Sequence, residues 1–168
     1  MAHPYDVLDI PQHPGHLIFT PCPGTRDASI GEALASLKAA GAQALITLMP
    51  DAELAANQAA DLPEQCVAHG LEWLHLPVAD EQVPLADFNA AWARQREQIL
   101  ALLANDATLV IHCKGGSGRT GLIAARLLIE LGVPREAAVR QVQALRPKAI
   151  QHPDHASWLT QFDDQRPC

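Results

Sequence analysis

The residues with the clearest chemical potential lie together in one glycine-rich segment, His112-Cys113-Lys114-Gly115-Gly116-Ser117-Gly118-Arg119-Thr120. An apolar stretch typical of a buried strand precedes it, and an apolar stretch typical of a buried helix follows it. In open α/β sheets, ligands bind beyond the carboxyl ends of the strands. A glycine-rich turn at that place directs backbone N–H groups toward one point, with the positive end of the helix behind them. The segment, which we call the Cys113 loop, therefore predicts an anion site.

Three side chains of the Cys113 loop add reactivity to this anion site. A thiol at a helix N-terminus ionises more readily than a free one, so we expect Cys113 to be largely thiolate at neutral pH. Arg119 carries a planar guanidinium that can hold two phosphate oxygens at once. Thr120 can donate its hydroxyl to the sulfur and stabilise it as a leaving group. A nucleophile, an anion cradle and a bidentate cation together indicate phosphoryl transfer to sulfur.

The Cys113 loop has two other interpretations, a structural turn with an inert cysteine and a nucleotide-binding P-loop. A P-loop requires Gly-Lys followed by Ser or Thr at a fixed distance from an earlier glycine. Arg119 stands where that lysine would be, and no other reading frame restores the spacing. The sequence therefore disfavours a P-loop ATPase, whereas the inert turn stays open at this point.

Strand and helix patterns alternate around the Cys113 loop. The predicted strands are 17–19, 44–48, 73–78 and 109–111, and the predicted helices are 30–40, 62–69, 85–104, 120–131, 134–145 and 153–162. Such alternation predicts an α/β fold in which helices flank a mostly parallel central sheet. We predict a single domain over residues 16–168, preceded by an irregular lead-in over residues 1–15.

Composition excludes several classes of protein. The chain has 168 residues, a net charge of −7 and a pI near 5.5, which disfavours nucleic-acid binding. No run of apolar residues is long enough to span a membrane, and the N-terminus lacks the pattern of a signal peptide. Four scattered cysteines fit a reducing compartment, so we expect a cytoplasmic protein. No cofactor or metal is expected, because His3, His13 and His16 match no ligand motif, and the oligomeric state is left open.

The Cys113 loop resembles the signature of the cysteine-dependent phosphatases, which is His-Cys, five residues, Arg, then Ser or Thr. Three further segments are similar to the kinase-associated phosphatase branch of the dual-specificity phosphatases. They are 17–27, ending in Thr25-Arg26-Asp27, then Leu76-Pro77-Val78-Ala79-Asp80, and Arg146-Pro147-Lys148-Ala149-Ile150-Gln151. The resemblance covers about residues 15–160. It implies a protein-tyrosine-phosphatase-like fold in which residues 16–168 form a dual-specificity-phosphatase-like catalytic domain.

The resemblance also implies roles for the residues of the Cys113 loop. Cys113 would form a phosphocysteine, Arg119 would bind the phosphate, and His112 would support the loop. The intervening residues would surround the phosphate; they are Lys114, Gly115, Gly116, Ser117 and Gly118. The implied substrate is a phosphorylated protein or peptide carrying phosphotyrosine, with phosphoserine and phosphothreonine as further candidates.

An alkoxide or phenoxide leaving group needs a proton, so a carboxylic acid must reach the leaving oxygen. Asp80 follows the third predicted strand, at the same sheet edge as Cys113 and 33 residues before it, close to the spacing that the superfamily shows for its general acid. Glu81 and Asp87 are the alternatives. Gln151 lies in a loop between two helices, where related phosphatases place a residue that orients the hydrolytic water. The sequence that follows it, His152-Pro153-Asp154-His155, departs from their usual polar pattern.

Other functions are compatible with parts of this pattern. The same cradle could bind phosphate without turnover, or it could serve a sulfurtransferase or arsenate reductase, which the acid at Asp80 disfavours. Lys114 follows the cysteine as in lipid 3-phosphatases, but Ser117 stands where those enzymes carry a second lysine, which weakens the case for a phosphoinositide or small-molecule phosphatase. Cys22 and Cys66 are either small buried hydrophobes or partners that form a disulfide with oxidised Cys113.

Overall fold

The computed structural model describes residues 3–10, 12–25, 28–80 and 82–165. Its strands are β1 Asp6–Asp9, β2 His16–Thr20, β3 Ala42–Thr47, β4 Glu72–His75 and β5 Thr108–His112. Its helices are α1 Ile30–Ala39, α2 Asp51–Ala56, α3 Leu62–Ala68, α4 Ala86–Ala104, α5 Gly118–Glu130, α6 Arg135–Leu145 and α7 Pro153–Leu159, followed by the 3-10 helix Thr160–Gln165. No helix among the described residues is long and apolar enough to cross a membrane. Arg26, Asp27 and the alternative acid Glu81 lie outside the described residues.

The five strands form one sheet in the order β1-β2-β5-β3-β4. β5 lies at its centre and pairs in parallel with β2 on one side and with β3 on the other, and β4 extends the parallel part. The four residues Leu109–His112 of β5 are buried, as expected for a parallel strand covered on both faces. The predicted α/β fold with a mostly parallel sheet is thereby confirmed, and the end of β5 delivers Cys113 to the middle of the carboxyl edge.

The side chains of each strand alternate between two helical layers. Leu109 and Ile111 of β5 belong to a cluster with Phe19 and the buried residues of α4, α5, α6 and α7. Val110 points to the opposite face, where it joins Ile18 and the buried residues of α1 and α3. All residues of α5 from Arg119 to Ile129 are buried, which agrees with the predicted buried helix. The helix begins at Gly118, within the Cys113 loop.

The irregular lead-in predicted for residues 1–15 is wrong in part. Asp6–Asp9 form β1, an edge strand antiparallel to β2 with Val7 opposite Ile18. The Thr20 hydroxyl also donates to the Pro4 carbonyl oxygen at 2.7 Å. Since Leu8 alone of the four residues of β1 is buried, the local pattern carries too little hydrophobic alternation to predict a strand. Its pairing with β2 decides the conformation.

The third predicted strand, 73–78, corresponds to β4, which ends earlier, at His75. Beyond His75 the chain continues along the end of β3. The Leu76 N–H donates to the Thr47 carbonyl at 3.0 Å, and the Val78 N–H donates to the Leu48 carbonyl at 2.8 Å. These two bonds carry the backbone across the carboxyl edge of the sheet. Asp80, two residues later, is thereby brought to the edge at which Cys113 lies.

Candidate active site

Two donors converge on the sulfur of Cys113. The Gly116 N–H lies 3.3 Å from Sγ, and the Thr120 hydroxyl lies 3.2 Å from it. Cys113 itself is 3% exposed, and α5 begins with its positive end at Gly118. Hydrogen bonds to a charged acceptor are stronger than those to a neutral one, so both donors stabilise a thiolate over a thiol. The geometry therefore suits a nucleophilic sulfur better than an inert structural cysteine.

The backbone of the Cys113 loop is held against the ends of neighbouring elements. Gly116 has a φ of +78°, and a Cβ there would lie 2.6 Å from the Thr20 carbonyl carbon, so this position requires glycine. The Cys22 N–H donates to the Lys114 carbonyl at 3.0 Å. From the other side, Arg146 donates Nε–H to the Gly116 carbonyl at 2.8 Å and one Nη1–H to the Asp6 carboxylate at 2.7 Å. These contacts fix the shape of the anion cradle before any ligand binds.

Arg119 is a buried cation surrounded by acceptors. Its two terminal nitrogens donate to the two carboxylate oxygens of Glu53 at 2.7 Å each, and Nη1 also donates to the Val78 carbonyl at 2.9 Å. Nη2 lies 3.4 Å from Asp80 Oδ1. Burial by itself lowers the pKa of Arg119, but the hydrogen bonds to Glu53 and the negative charges of Cys113, Glu53 and Asp80 together raise it above its usual value. The guanidinium is therefore permanently charged and held in one orientation.

Glu53 is the residue of this site that sequence reasoning missed. It lies in α2, a six-residue helix that was not predicted because Leu54 is its single buried residue. Pro50 precedes the helix at its N-cap, and β3 ends shortly before it at Thr47. The one local signal is an acidic residue that follows a strand at the sheet edge where Cys113 lies. Glu53 and Arg119 are 66 residues apart in the chain, so the ion pair between them could be seen only in the tertiary structure.

Asp80 lies at the mouth of the site with its side chain 70% exposed. It occupies a turn that the Gln82 N–H closes by donating to the Ala79 carbonyl at 3.1 Å. The alternative acid Asp87 lies in the first turn of α4, where its carboxylate accepts the Phe88 N–H at 3.0 Å. Asp87 lines a separate groove with Pro77. Of these two carboxylates, Asp80 is the one that the fold brings to Arg119.

A cleft of about 420 Å³ opens over Arg119. Its described lining residues are Asp80, Gly118, Arg119, Lys148, Ile150, His152 and His155. Gln151 is exposed beside this cleft, and its side-chain amide donates to the Pro147 carbonyl at 2.6 Å. The role of Gln151 in orienting water stays a prediction. Lys148, His152 and His155 form one wall of this cleft, a placement that the sequence analysis did not predict for them.

His112 supports the Cys113 loop through a chain of hydrogen bonds across three strands. Its Nδ1 lies 3.2 Å from the Cys113 carbonyl, which can only accept, so Nδ1 carries the proton. Burial lowers the pKa of His112 to about 4, so Nε2 of the neutral ring accepts. The Thr47 hydroxyl donates to this nitrogen at 2.7 Å and accepts the Trp73 indole N–H at 2.8 Å. The chain Trp73–Thr47–His112 thus orients the carbonyl that adjoins the nucleophile.

The other described cysteines are poor candidates for a disulfide with Cys113. Burial raises the pKa of both the Cys22 and the Cys66 thiol to about 12, and for Cys22 the negative charges of Glu53 and Cys113 add to this effect. A thiol must ionise before it attacks another sulfur, so both would react slowly at neutral pH. Both side chains are fully buried, which favours the interpretation of Cys22 and Cys66 as small buried hydrophobes.

The sequence of the chain matches the model of a known protein family. That family is described as "Tc-R-P: Polymorphic toxin system, DSP-PTPase phosphatase", and the match covers residues 23–133. The chain belongs to this family of dual-specificity and tyrosine phosphatases. The matched stretch runs from before α1 to beyond the end of α5 and includes the Cys113 loop, so the resemblance to the cysteine-dependent phosphatases is confirmed.

Relatives support the expected closeness to the kinase-associated branch. Cyclin-dependent kinase inhibitor 3 of Homo sapiens is 33% identical over 135 residues, which span 77% of this chain and 61% of that protein. A crystal structure of kinase associated phosphatase with its catalytic-site cysteine replaced by serine has a TM-score of 0.87 and 25% identity, covering 98% of this chain and 96% of that chain. The structure of Tk-PTP in its active form has a TM-score of 0.70 at 22% identity, covering 95% and 97%, and shares the fold.

The ion pair with Glu53 can be tested by replacing its carboxylate with an amide. We expect Glu53→Gln to lower kcat/KM for an aryl phosphate by about 10- to 100-fold, since a hydrogen bond to a charged group contributes about 1.5–3 kcal/mol. Asp51→Asn is the matched control, because Asp51 lies on the same helix with its side chain 91% exposed. A Glu53→Gln variant within twofold of wild type would show that Arg119 needs no such partner.

The low pKa of His112 predicts a loss of stability in mild acid. Between pH 6.5 and 4 the unfolded chain binds a proton at His112 that the folded protein does not, so the free energy of unfolding falls as the pH falls. The slope from this group is at most about 1.4 kcal/mol per pH unit. His112→Gln can keep a donor and an acceptor without titrating, so urea unfolding of this variant should show a shallower pH dependence. Equal slopes for the two proteins would contradict the assignment.

Proposed function

We propose that this protein is a cysteine-dependent phosphatase that hydrolyses phosphotyrosine, and also phosphoserine and phosphothreonine, monoesters of proteins through a phosphocysteine intermediate. The observation that carries the proposal is the convergence of Gly116 N–H and Thr120 Oγ1 on Cys113 Sγ beside a buried, charged Arg119. The negative charges of Cys113, Glu53 and Asp80 act on Arg119 and keep this guanidinium charged. It can therefore bind a phosphate dianion, and Asp80 beside it is the proposed general acid.

The donors of Arg119 define where the phosphate binds. Both protons of Nη1 are used by Glu53 and Val78, and one proton of Nη2 is used by Glu53. The proton on Nε and the Nη2 proton that faces Asp80 form the edge left for a bidentate contact with two phosphate oxygens. A phosphate bound on this edge lies next to Asp80, which faces the same Nη2 proton. In-line attack by the sulfur requires the leaving oxygen opposite Sγ, and we propose that the Asp80 carboxyl group reaches it there.

The reaction proceeds in two displacements at phosphorus. The thiolate of Cys113 forms an S–P bond as the P–O bond to the substrate breaks, and the leaving oxygen takes the proton of Asp80. A water molecule then attacks the phosphocysteine, Asp80 accepts its proton, and the S–P bond breaks to release phosphate and the thiolate. The donors from Gly116 and Thr120 stabilise the sulfur as the leaving group of this second step. The first step leaves Asp80 without its proton, as the second step requires. The second step returns the proton to Asp80 and the thiolate to Cys113.

The proposed substrate is a phosphorylated protein or peptide in the cytoplasm. The cleft over Arg119 lies at the surface, and its wall from Lys148 to His155 offers one cation beside the phosphate position. A side chain on an extended peptide can reach such a cleft without unfolding of the substrate. Cyclin-dependent kinase inhibitor 3 and kinase associated phosphatase are named for kinases, which makes a phosphorylated kinase a reasonable first protein to test.

The covalent intermediate provides the test of this function. Wild-type protein quenched with acid during turnover of an aryl phosphate should carry phosphate on the peptide that contains Cys113. Cys113→Ser should lose turnover and keep phosphate binding, because a serine hydroxyl at neutral pH is not ionised by this loop. Substantial turnover by the serine variant, or phosphate on another residue, would overturn the proposal. Phosphate binding without turnover in the wild type would instead support a phosphate-binding module, and a preference for inositol phosphates would redirect the substrate class.

The general acid can be identified by the leaving group. Asp80→Asn should slow hydrolysis of a phosphotyrosine peptide by about 10²- to 10⁴-fold, the usual contribution of a positioned acid. An electron-poor phenol departs without a proton, so the same variant should lose much less of kcat/KM on its phosphate ester, because kcat/KM reports the first displacement and not the later hydrolysis in which Asp80 is the base. Asp87→Asn is the control, since its side chain lies in another groove. Equal losses on both substrates would show that the acid lies elsewhere.

A further inference from the structure

The turn that carries Asp80 is held from both sides by side chains. Before Asp80, Arg119 Nη1 donates to the Val78 carbonyl at 2.9 Å. After it, Nε2 of His155 lies 3.2 Å from the Gln82 carbonyl. A carbonyl can only accept, so Nε2 of His155 carries the proton and donates. Arg119 and His155 thus hold the two ends of the same short segment.

The bond from His155 exists at any pH at which the fold exists. His155 is 7% exposed, and its burial lowers its pKa, which the bond to Gln82 opposes in part. The ring is therefore neutral at neutral pH with its proton on Nε2. Protonation in acid would add a proton at Nδ1 and leave the donor on Nε2 in place. The contact is a fixed structural feature of the cleft.

His155 is itself placed by the helix that carries Arg119. Arg126 of α5 stacks its guanidinium over the Phe162 ring at 3.6 Å and over the Trp158 ring at 5.5 Å. Trp158 lies three residues after His155 in α7 and packs edge-on against Phe88, with ring centroids 6.2 Å apart. Because α5 fixes α7 in this way, the distance between His155 and Arg119 is set by the core.

Asp80 needs the support of the His155 hydrogen bond to Gln82 when substrate binds. Among the described residues, Arg119 is the charged group with which Asp80 pairs, through a separation of 3.4 Å. A bound phosphate takes the Nη2 proton that faces Asp80 and so ends that contact. The carboxyl group is then located by the backbone of its turn, whose ends are bonded to Arg119 and His155.

We propose that His155 is a positioning residue that holds the Asp80 turn in register with Arg119, so that the acid reaches the leaving oxygen of a bound phosphate. This inference rests on the proposed role of Asp80 as general acid. His155 of α7 then acts on catalysis through Asp80 and does not contact the reacting atoms. A merely structural role would affect all substrates equally, whereas a role through Asp80 affects those that need a proton.

Paired substrates distinguish these roles. His155→Phe keeps an aromatic ring and removes the donor, so kcat/KM for a phosphotyrosine peptide, which reports the first displacement, should fall by about 3- to 10-fold, the contribution of one neutral hydrogen bond. Its kcat/KM for an aryl phosphate with an electron-poor phenol should stay within twofold, as should the inhibition constant of inorganic phosphate. His155→Gln, which can donate to the same carbonyl, should restore much of the lost activity. Adding His155→Phe to Asp80→Asn should cause no further loss on the peptide.

The outcomes separate this inference from the proposed function. An equal loss of kcat/KM on both substrates, an unchanged kcat/KM on the peptide, or an additive loss in the double variant would overturn the positioning role while Asp80→Asn still behaves as an acid variant. Should Asp80→Asn itself lose the same factor on both substrates, the assignment of the acid fails and the role of His155 fails with it. Thermal unfolding of each variant shows whether α7 stays folded, and the His155→Gln variant decides the question if the phenylalanine variant is unstable.

Discussion

The buried charge of Arg119 is the constraint on which the rest of the site depends. Burial of a guanidinium is strongly unfavourable unless protein acceptors replace the water that its charge loses. Glu53 of α2, the Val78 carbonyl beyond β4 and Asp80 supply those acceptors from segments that are far apart in the chain. Arg119 can be buried only when these segments have assembled. Folding of the sheet edge therefore also places the guanidinium that is proposed to bind phosphate.

Different groups of the site act on the phosphate position and on the sulfur. Arg119 supplies a buried positive charge, whereas the sulfur of Cys113 receives hydrogen bonds from two neutral groups, the Gly116 N–H and the Thr120 hydroxyl. His112 lies next to Cys113 in sequence but is kept neutral by burial, so it contributes orientation and no charge.

Parts of this arrangement were predictable because their signals are local. The Cys113 loop lies between two apolar stretches, so its residues, the strand before it and the helix after it could all be predicted. The capping box of α1, in which Ser29 and Glu32 exchange hydrogen bonds, is equally local. β1 and α2 escaped prediction because each buries a single side chain, and such short elements form only where a neighbouring strand or a buried arginine stabilises them.

The sequence by itself predicted the chemistry of the Cys113 loop. A thiol, an arginine and a threonine at fixed spacing after a buried strand indicate phosphoryl transfer. The signal is local because a strand, a glycine-rich turn and a helix place neighbouring residues around one point. The tertiary structure alone decided that Glu53 pairs with Arg119 and that Asp87 lines another groove, whereas Asp80 was already a candidate from the sequence. Glu53, Asp80 and Asp87 are chemically alike, and their distances from Arg119 follow from how separate strands end at one sheet edge. Spacing in the chain does not encode such distances, since the sheet order β2-β5-β3-β4 is not the order of the sequence.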